Sequence, residues 1–268
     1  MKSHLSIIAI LFSIVTVFLF SSGVAEEYTL IHTIPFSGVR FTTDKLGNAY
    51  VIADNQLLEF NSKCQPLANY SETNLGSLRN IDASNPLKLV LFYPDFGQIN
   101  TLDTKLALQS TVNLRNIGII QPTVVCNSNH LGYWVYDMQD FQLKKIDLNL
   151  QIQIQSGDIT QTLGGDILPN FLVEAGDYVY LNNPSTGILV FDLFGTYFKT
   201  IPLPKLRTFQ VIGDQILYID DNKLMSYNLK TALPKEIILP PHETLLNARI
   251  EDKQLYLLTT TSLSFYSF

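Results

Sequence analysis

The residue type with the most ordered spacing in this chain of 268 is arginine. Only five occur, Arg40, Arg79, Arg115, Arg207 and Arg249, against thirteen scattered lysines. Arg40, Arg79 and Arg207 each stand ten residues before an apolar position in a strand-like run, namely Tyr50, Leu89 and Leu217. The same offset places Thr123 before Tyr133 and Asn170 before Tyr180. A guanidinium is a planar fork that grips carboxylate or phosphate in two bonds, and several together sharpen the local field. Gathered around one axis, Arg40, Arg79, Arg207 and Arg249 with Thr123 and Asn170 would receive a peptide C-terminus, an acidic sugar or a phosphate headgroup. A competing use is internal. Asp44, Asp82, Glu174 and Glu251 lie in the same stretches, so Arg40 with Asp44 and Arg79 with Asp82 would neutralise each other as ion pairs.

Other chemistry is sparsely represented. After the first 25 residues the histidines are His32, His130 and His242, and none has metal-ligand spacing. There is no G-x-S-x-G elbow and no phosphate-cradling glycine loop. Asp54, Asp95, Asp137, Asp140, Asp220 and Asp221 would supply oxygen ligands to calcium, but no DxDxDG loop is present and turn propensity accounts for them. No metal, cofactor or catalytic residue is therefore assigned. Phe96 and Phe141, at turn margins, are candidates for a rim contact.

The elements that must position the arginines follow a repeat. Short apolar runs are followed by a turn rich in Asp and Asn, then by a second run ending in an apolar residue plus Asp or Asn. The copies run from Tyr50 to Asn61, Leu89 to Asp103, Tyr133 to Asp147, Tyr178 to Asp192, Ile216 to Asn228 and Leu255 to Tyr266. Steps between their ends are 42, 44, 45, 36 and 38 residues. A period near forty with four strands per unit predicts a propeller blade. The sixth copy stops at Phe268, one strand short, while Tyr28–Ile34 precedes the first copy with no partner of its own. Pairing the two closes the ring. The prediction is an all-β, six-bladed propeller of four-stranded antiparallel blades, in one domain over 26–268. The inner-strand starts, where the arginines stand, then open on the face that carries the turns between second and third strands.

At repeat level the chain resembles the six-bladed propellers of the TolB-like, NHL and YWTD kinds. Tyr133-Trp134-Val135-Tyr136-Asp137 is similar to a YWTD strand with one extra residue. The leader and the divergent repeats also resemble small exported propellers of Bacteroidetes-type envelopes. The resemblance implies a central-channel site but no particular activity, because propellers host enzymes, binders and scaffolds alike.

The N-terminus reads as an address. Lys2, the apolar run Leu5–Phe20, and small residues at Gly23 and Ala25 form a signal peptide over 1–25, with cleavage after Ala25. The run is shorter than the roughly 20 residues of a spanning helix. The remaining 243 residues carry 17 basic and 24 acidic side chains, which argues against general nucleic-acid binding. Two cysteines remain, Cys64 and Cys126. Counting alone pairs them, but they fall in non-neighbouring blades, beyond the roughly 7 Å that a disulfide spans, so two free thiols are expected.

The expectation is an exported, monomeric binding or protein-interaction module of the cell envelope, periplasmic or extracellular. Its contact surface would be the channel mouth. The alternatives are a binder of a small anionic or carbohydrate ligand in an arginine-lined funnel, and a propeller hydrolase or lyase.

Overall fold

A computed structural model of the chain describes residues 27–36, 38, 40–53 and 55–268. The signal peptide expected over 1–25, and Asp54, lie outside the described residues. The six expected sheets are present, each antiparallel and four-stranded. Their inner strands are Phe41–Thr43, Asn80–Asp82, Pro122–Asn127, Phe171–Ala175, Gln210–Ile212 and Leu245–Glu251, in blades one to six. The predicted closure is also seen. Thr29–Pro35 pairs with Ser262–Ser267 as the outer strand of blade six, with Thr29 opposite Ser267 and Pro35 opposite Ser262. No helix among the described residues is long and apolar enough to cross a membrane.

Two kinds of sequence signal build the blades. Second strands are apolar on both faces because each blade is sandwiched between neighbours. Leu89–Tyr93 and Tyr133–Asp137 are buried along their whole length. The Asp or Asn ending each third strand works in the turn that follows it. Asp103 Oδ1 accepts from the N–H groups of Lys105 and Ala107, and Asp147 Oδ1 from those of Asn149 and Gln151. Asn61 and Asp192 bond residues two and four further on in the same way. The third residue after the cap takes a left-handed conformation, Cys64 at φ 61°, Leu106 at 58°, Leu150 at 62° and Gly195 at 77°. Side-chain bonds to the backbone hold non-glycine residues in a conformation they otherwise avoid. The repeated Asp/Asn of the sequence pattern is thus a turn device.

Neighbouring blades meet through apolar clusters. Cys126, Trp134 and Tyr136 of blade three pack with Leu172, Val179 and Leu181 of blade four. Cys64 lies in a different cluster, between blades six and one, with Tyr256 and Phe265. Both thiols are free and buried, and burial raises the pKa of each, that of Cys126 strongly. One helical turn, Ile159–Leu163, joins blades three and four under an Asp158 cap. It is too short to leave a helical period in the sequence.

Blade one holds a carboxylate pair with one proton too few. Tyr50 Oη lies 2.9 Å from Asp44 Oδ2 and 3.1 Å from Glu59 Oε1, all three side chains being buried. A phenol donates one proton, so Tyr50 satisfies only one of the two carboxylates at a time. Burial is the main force raising the Glu59 pKa; the Tyr50 hydrogen bond opposes it and the Asp44 charge adds to it. A carboxyl raised in the folded state binds more protons folded than unfolded. Its contribution to stability is therefore lost as pH climbs from the ordinary glutamate value of about 4.3 to the raised one. Glu59→Gln is expected to increase stability at neutral pH and to flatten that part of the pH profile. Urea titrations across the window check it; an unchanged slope would refute the assignment.

Candidate functional site

The upper face of the ring holds the inner-strand starts and the second-to-third-strand turns. The lower face holds the inner-strand ends, the first-to-second-strand turns and the third-to-fourth-strand turns. A cavity of about 680 Å³ opens on the lower face and runs from the channel outward between blades four and five. The strands of blades four and five lie farther apart than those at the other junctions, and the two blades meet through side chains, Tyr180, Ile188 and Val190 packing with Phe209, Ile216 and Tyr218. At the upper end the two blades remain tied: Asn170 and Asn182 both donate Nδ2 to the Leu206 carbonyl, and Lys205 N–H donates to the Pro184 carbonyl. Phe209 packs edge-on against Phe171 and Tyr180, with ring centroids 5.0 and 6.4 Å apart. Below that wedge the walls are Val173, Tyr178, Val190 and Val211. Phe198 stacks on Tyr178 at the rim, with Lys199 over its ring. Lys230 and Asp214 pair beside them.

The inner end of the cavity is polar. Arg249 Nε donates to Thr43 Oγ1 at 2.7 Å, and its Nη2 lies 3.8 Å from Glu251 Oε1. Glu251 Oε1 also accepts from Thr43 and from Gln210 Nε2. Burial pushes the Arg249 pKa down, while Glu251 and Asp82 act against it. Burial likewise raises Glu251 and Asp82. One wall is braced by Glu174, which accepts from Ser128 Oγ, Asn129 N–H and Trp134 Nε1 across the blade three to four junction. The arrangement has the form of a binding cleft, apolar and aromatic outside with a few fixed polar groups within.

The sequence-predicted residues divide between the faces. Arg249 lines the cavity. Arg40, Arg79, Arg207 and Asn170 are exposed at the upper face, and Thr123 is half-buried there beside the Tyr136 carbonyl. Arg40 and Arg79 are near enough for the charge of Arg79 to reinforce the lowering of the Arg40 pKa that burial begins. Arg40 Nη1 donates to the Leu78 carbonyl, and Asn170 Nδ2 to the Leu206 carbonyl, the matching position three blades on. Each of these two residues thus staples its blade to the next. The alternative ion pairs are not formed. Asp44 is occupied by Leu46 and Asn48 N–H, Asn48 Nδ2 and Tyr50, and Asp82 by Ser84 and Asn127 N–H. The acid of the second-to-third turn of blade three, Asp137, binds Lys144 Nζ and backbone N–H groups of Gln121 and Gln139.

The cleft itself was not legible from periodicity, because Phe171, Tyr178, Tyr180 and Phe209 match the pattern of ordinary interblade packing. One signal does mark the place. Gly176-Asp177 and Gly213-Asp214 are small turns at equivalent positions of successive blades, and both line the cavity.

No protein-family model matches this chain, and no curated protein is similar to it in sequence. Solved structures are similar in fold. Virginiamycin B lyase from Staphylococcus aureus, determined with quinupristin, is 12% identical over 90% of this chain and 100% of its own, with a TM-score of 0.59. The Pan2 WD40 domain of Neurospora crassa is 9% identical over 90% of this chain and 95% of its own, with a TM-score of 0.64. BBS1N in complex with ARL6DN is 15% identical over 86% and 77%, with a TM-score of 0.55.

Proposed function

We propose that this chain is an exported, non-enzymatic binding module that receives an aromatic or aliphatic segment of a partner protein in the cleft between blades four and five. The observation that carries this reading is the cavity of about 680 Å³ between blades four and five, walled by Val173, Tyr178, Val190 and Val211. Unfilled apolar surface is costly to maintain, and a pocket of several hundred Å³ is of ligand size. The leader-like N-terminus supports export to the envelope or beyond. Among the similar folds, one structure holds quinupristin and another a protein partner, so both ligand scales are compatible with such a ring. A second reading, an anion site, rests on the juxtaposed Arg40 and Arg79 of the upper face, with Arg207, Thr123 and Asn170 on the same rim.

Panning a random peptide library on the immobilised protein tests the cleft. Selected peptides should centre on an aromatic or branched aliphatic residue. Val211→Trp, which fills the wedge from the blade five wall, should remove the enrichment while leaving thermal unfolding in place. Equal enrichment on both proteins would overturn the reading. Enrichment of acidic peptides, lost in an Arg40→Gln/Arg79→Gln double variant, would favour the upper face instead.

A further inference from the structure

The inner end of the cleft holds a donor and an acceptor that the surrounding protein leaves unmet. Arg249 Nε–H donates to Thr43 Oγ1, and the Thr43 hydroxyl donates in turn to Glu251 Oε1. Gln210 Nε2 donates to the same Oε1 and to the Ile250 carbonyl, while its own Oε1 accepts from Ile250 N–H. Strands of blades one, five and six thus fix both side chains, each 13% exposed, in one setting. Thr43, Gln210, Arg249 and Glu251 all line the cavity. The four N–H of Arg249 Nη1 and Nη2 make no hydrogen bond with any described residue, and Nη2 stays 3.8 Å from Glu251 Oε1. Glu251 Oε2 receives no donor among the described residues either. Polar groups so far withdrawn from water are costly unless paired.

The neighbours narrow the chemistry that would pair them. Lys45, Asp82 and Glu174 also line this end. Asp82 is already engaged by Ser84 and Asn127 N–H, and Glu174 by Ser128, Asn129 and Trp134. Three carboxylates therefore stand here with two cations. A ligand carboxylate would add to that excess, beside Glu251. A ligand ammonium brings donors only; it would leave the guanidinium N–H groups unmet and stand against their charge. A neutral amide brings both partners, a carbonyl to accept from Arg249 Nη and an N–H to donate to Glu251 Oε2. A sugar hydroxyl also donates and accepts. Beyond this end, however, the walls include Val173, Val190 and Val211, whose side chains give a polyol nothing to bond.

We infer that Arg249 and Glu251 form an amide-reading pair, so that the segment enters the cleft with an amide group at the inner end and its apolar side chain between blades four and five. The inference rests on the cleft reading above and adds the polar half of the ligand. Thr43 and Gln210 hold the pair in place beforehand, so little ordering remains to be done on binding.

Four small probes that share a phenyl ring test it: 3-phenylpropanamide, 3-phenylpropanoate, 3-phenylpropylamine and phenyl β-glucoside. Each is titrated against isotopically labelled protein, with the Val173 and Val211 amide resonances reporting occupancy of the cleft. The propanamide should bind roughly fivefold or more tightly than the others, the worth of one or two hydrogen bonds. This order is read on the parent protein and needs no substitution. Glu251→Gln gives a second readout. Its carboxamide can keep the oxygen on Thr43 and Gln210 and turn N–H groups toward the ligand, so the pair becomes donor-only. The propanoate should then bind at least as tightly as the propanamide. Equal binding of the probes, a preference for the propanoate or the amine in the parent, or an unchanged order in Glu251→Gln would overturn the inference while the cleft reading stands. A preference for the glucoside would overturn it in favour of a carbohydrate. Should no probe move the Val173 and Val211 resonances, the inference falls, and the cleft reading is decided separately by the Val211→Trp peptide test.

Discussion

A chain lacking residues 27–36 is expected to lose cooperative unfolding, and a peptide spanning Tyr28–Phe36 should restore it when added in trans. The segment is the fourth strand of blade six, paired along its length with Ser262–Ser267. Most of its side chains face solvent, yet its few inward groups matter. Ile34 and Phe36 join the cluster of Phe41, Leu258, Leu263 and Phe265, and Phe36 N–H donates to the Thr261 carbonyl. Burying two such side chains is worth about 1.5–3 kcal/mol each. The whole stability of a domain is about 5–15 kcal/mol, so the loss is a large share. Deletion also leaves Ser262–Ser267 as an unpaired edge, a template for aggregation. Denaturant unfolding followed by Trp134 fluorescence reads the first effect, and light scattering the second. A truncated chain that unfolds as sharply as the parent would show that closure is dispensable.

The second large effect is expected at Lys144. Its side chain is 2% exposed, and its ammonium lies 2.9 Å from Asp137, whose carboxylate is wholly buried. Burial alone would push the Lys144 pKa down; hydrogen bonds to Asp140 and Asp137 outweigh it and hold it above its ordinary value. Lys144→Met should fit the space but leave the Asp137 charge without its cation, at a cost of about 3–5 kcal/mol. Adding Asp137→Asn should recover most of that loss, because the amide oxygen can still accept from Gln121 N–H and carries no charge. Urea titrations of the two single variants and the double variant give the coupling directly. A Lys144→Met protein within about 1 kcal/mol of the parent would mean that Asp137 does not depend on this cation.

Both predictions rest on features the sequence shows unequally. The closing strand is legible, because a blade that ends one strand short and an N-terminal strand without a partner are both visible in one dimension. The Asp137–Lys144 pair is not. Asp137 reads as a turn acid and Lys144 as a strand lysine, and only the blade's depth makes both buried. The arginines illustrate the same limit. Their register correctly places Arg40, Arg79 and Arg207 at inner-strand starts. It cannot show that Arg40 is stapled to the Leu78 carbonyl while Arg249 turns to Thr43 and Glu251 beside the cavity.

By itself, then, the sequence determines the blade count, the ring closure, the turn caps and the separation of the two thiols. These follow from alternation of period two, from turn chemistry within five residues, and from a forty-residue repeat. The tertiary structure alone decides where the cavity lies. That depends on how two sheets some forty residues apart meet: Val173 and Val211 pack against the cluster that joins blades four and five and also line the cavity beside it.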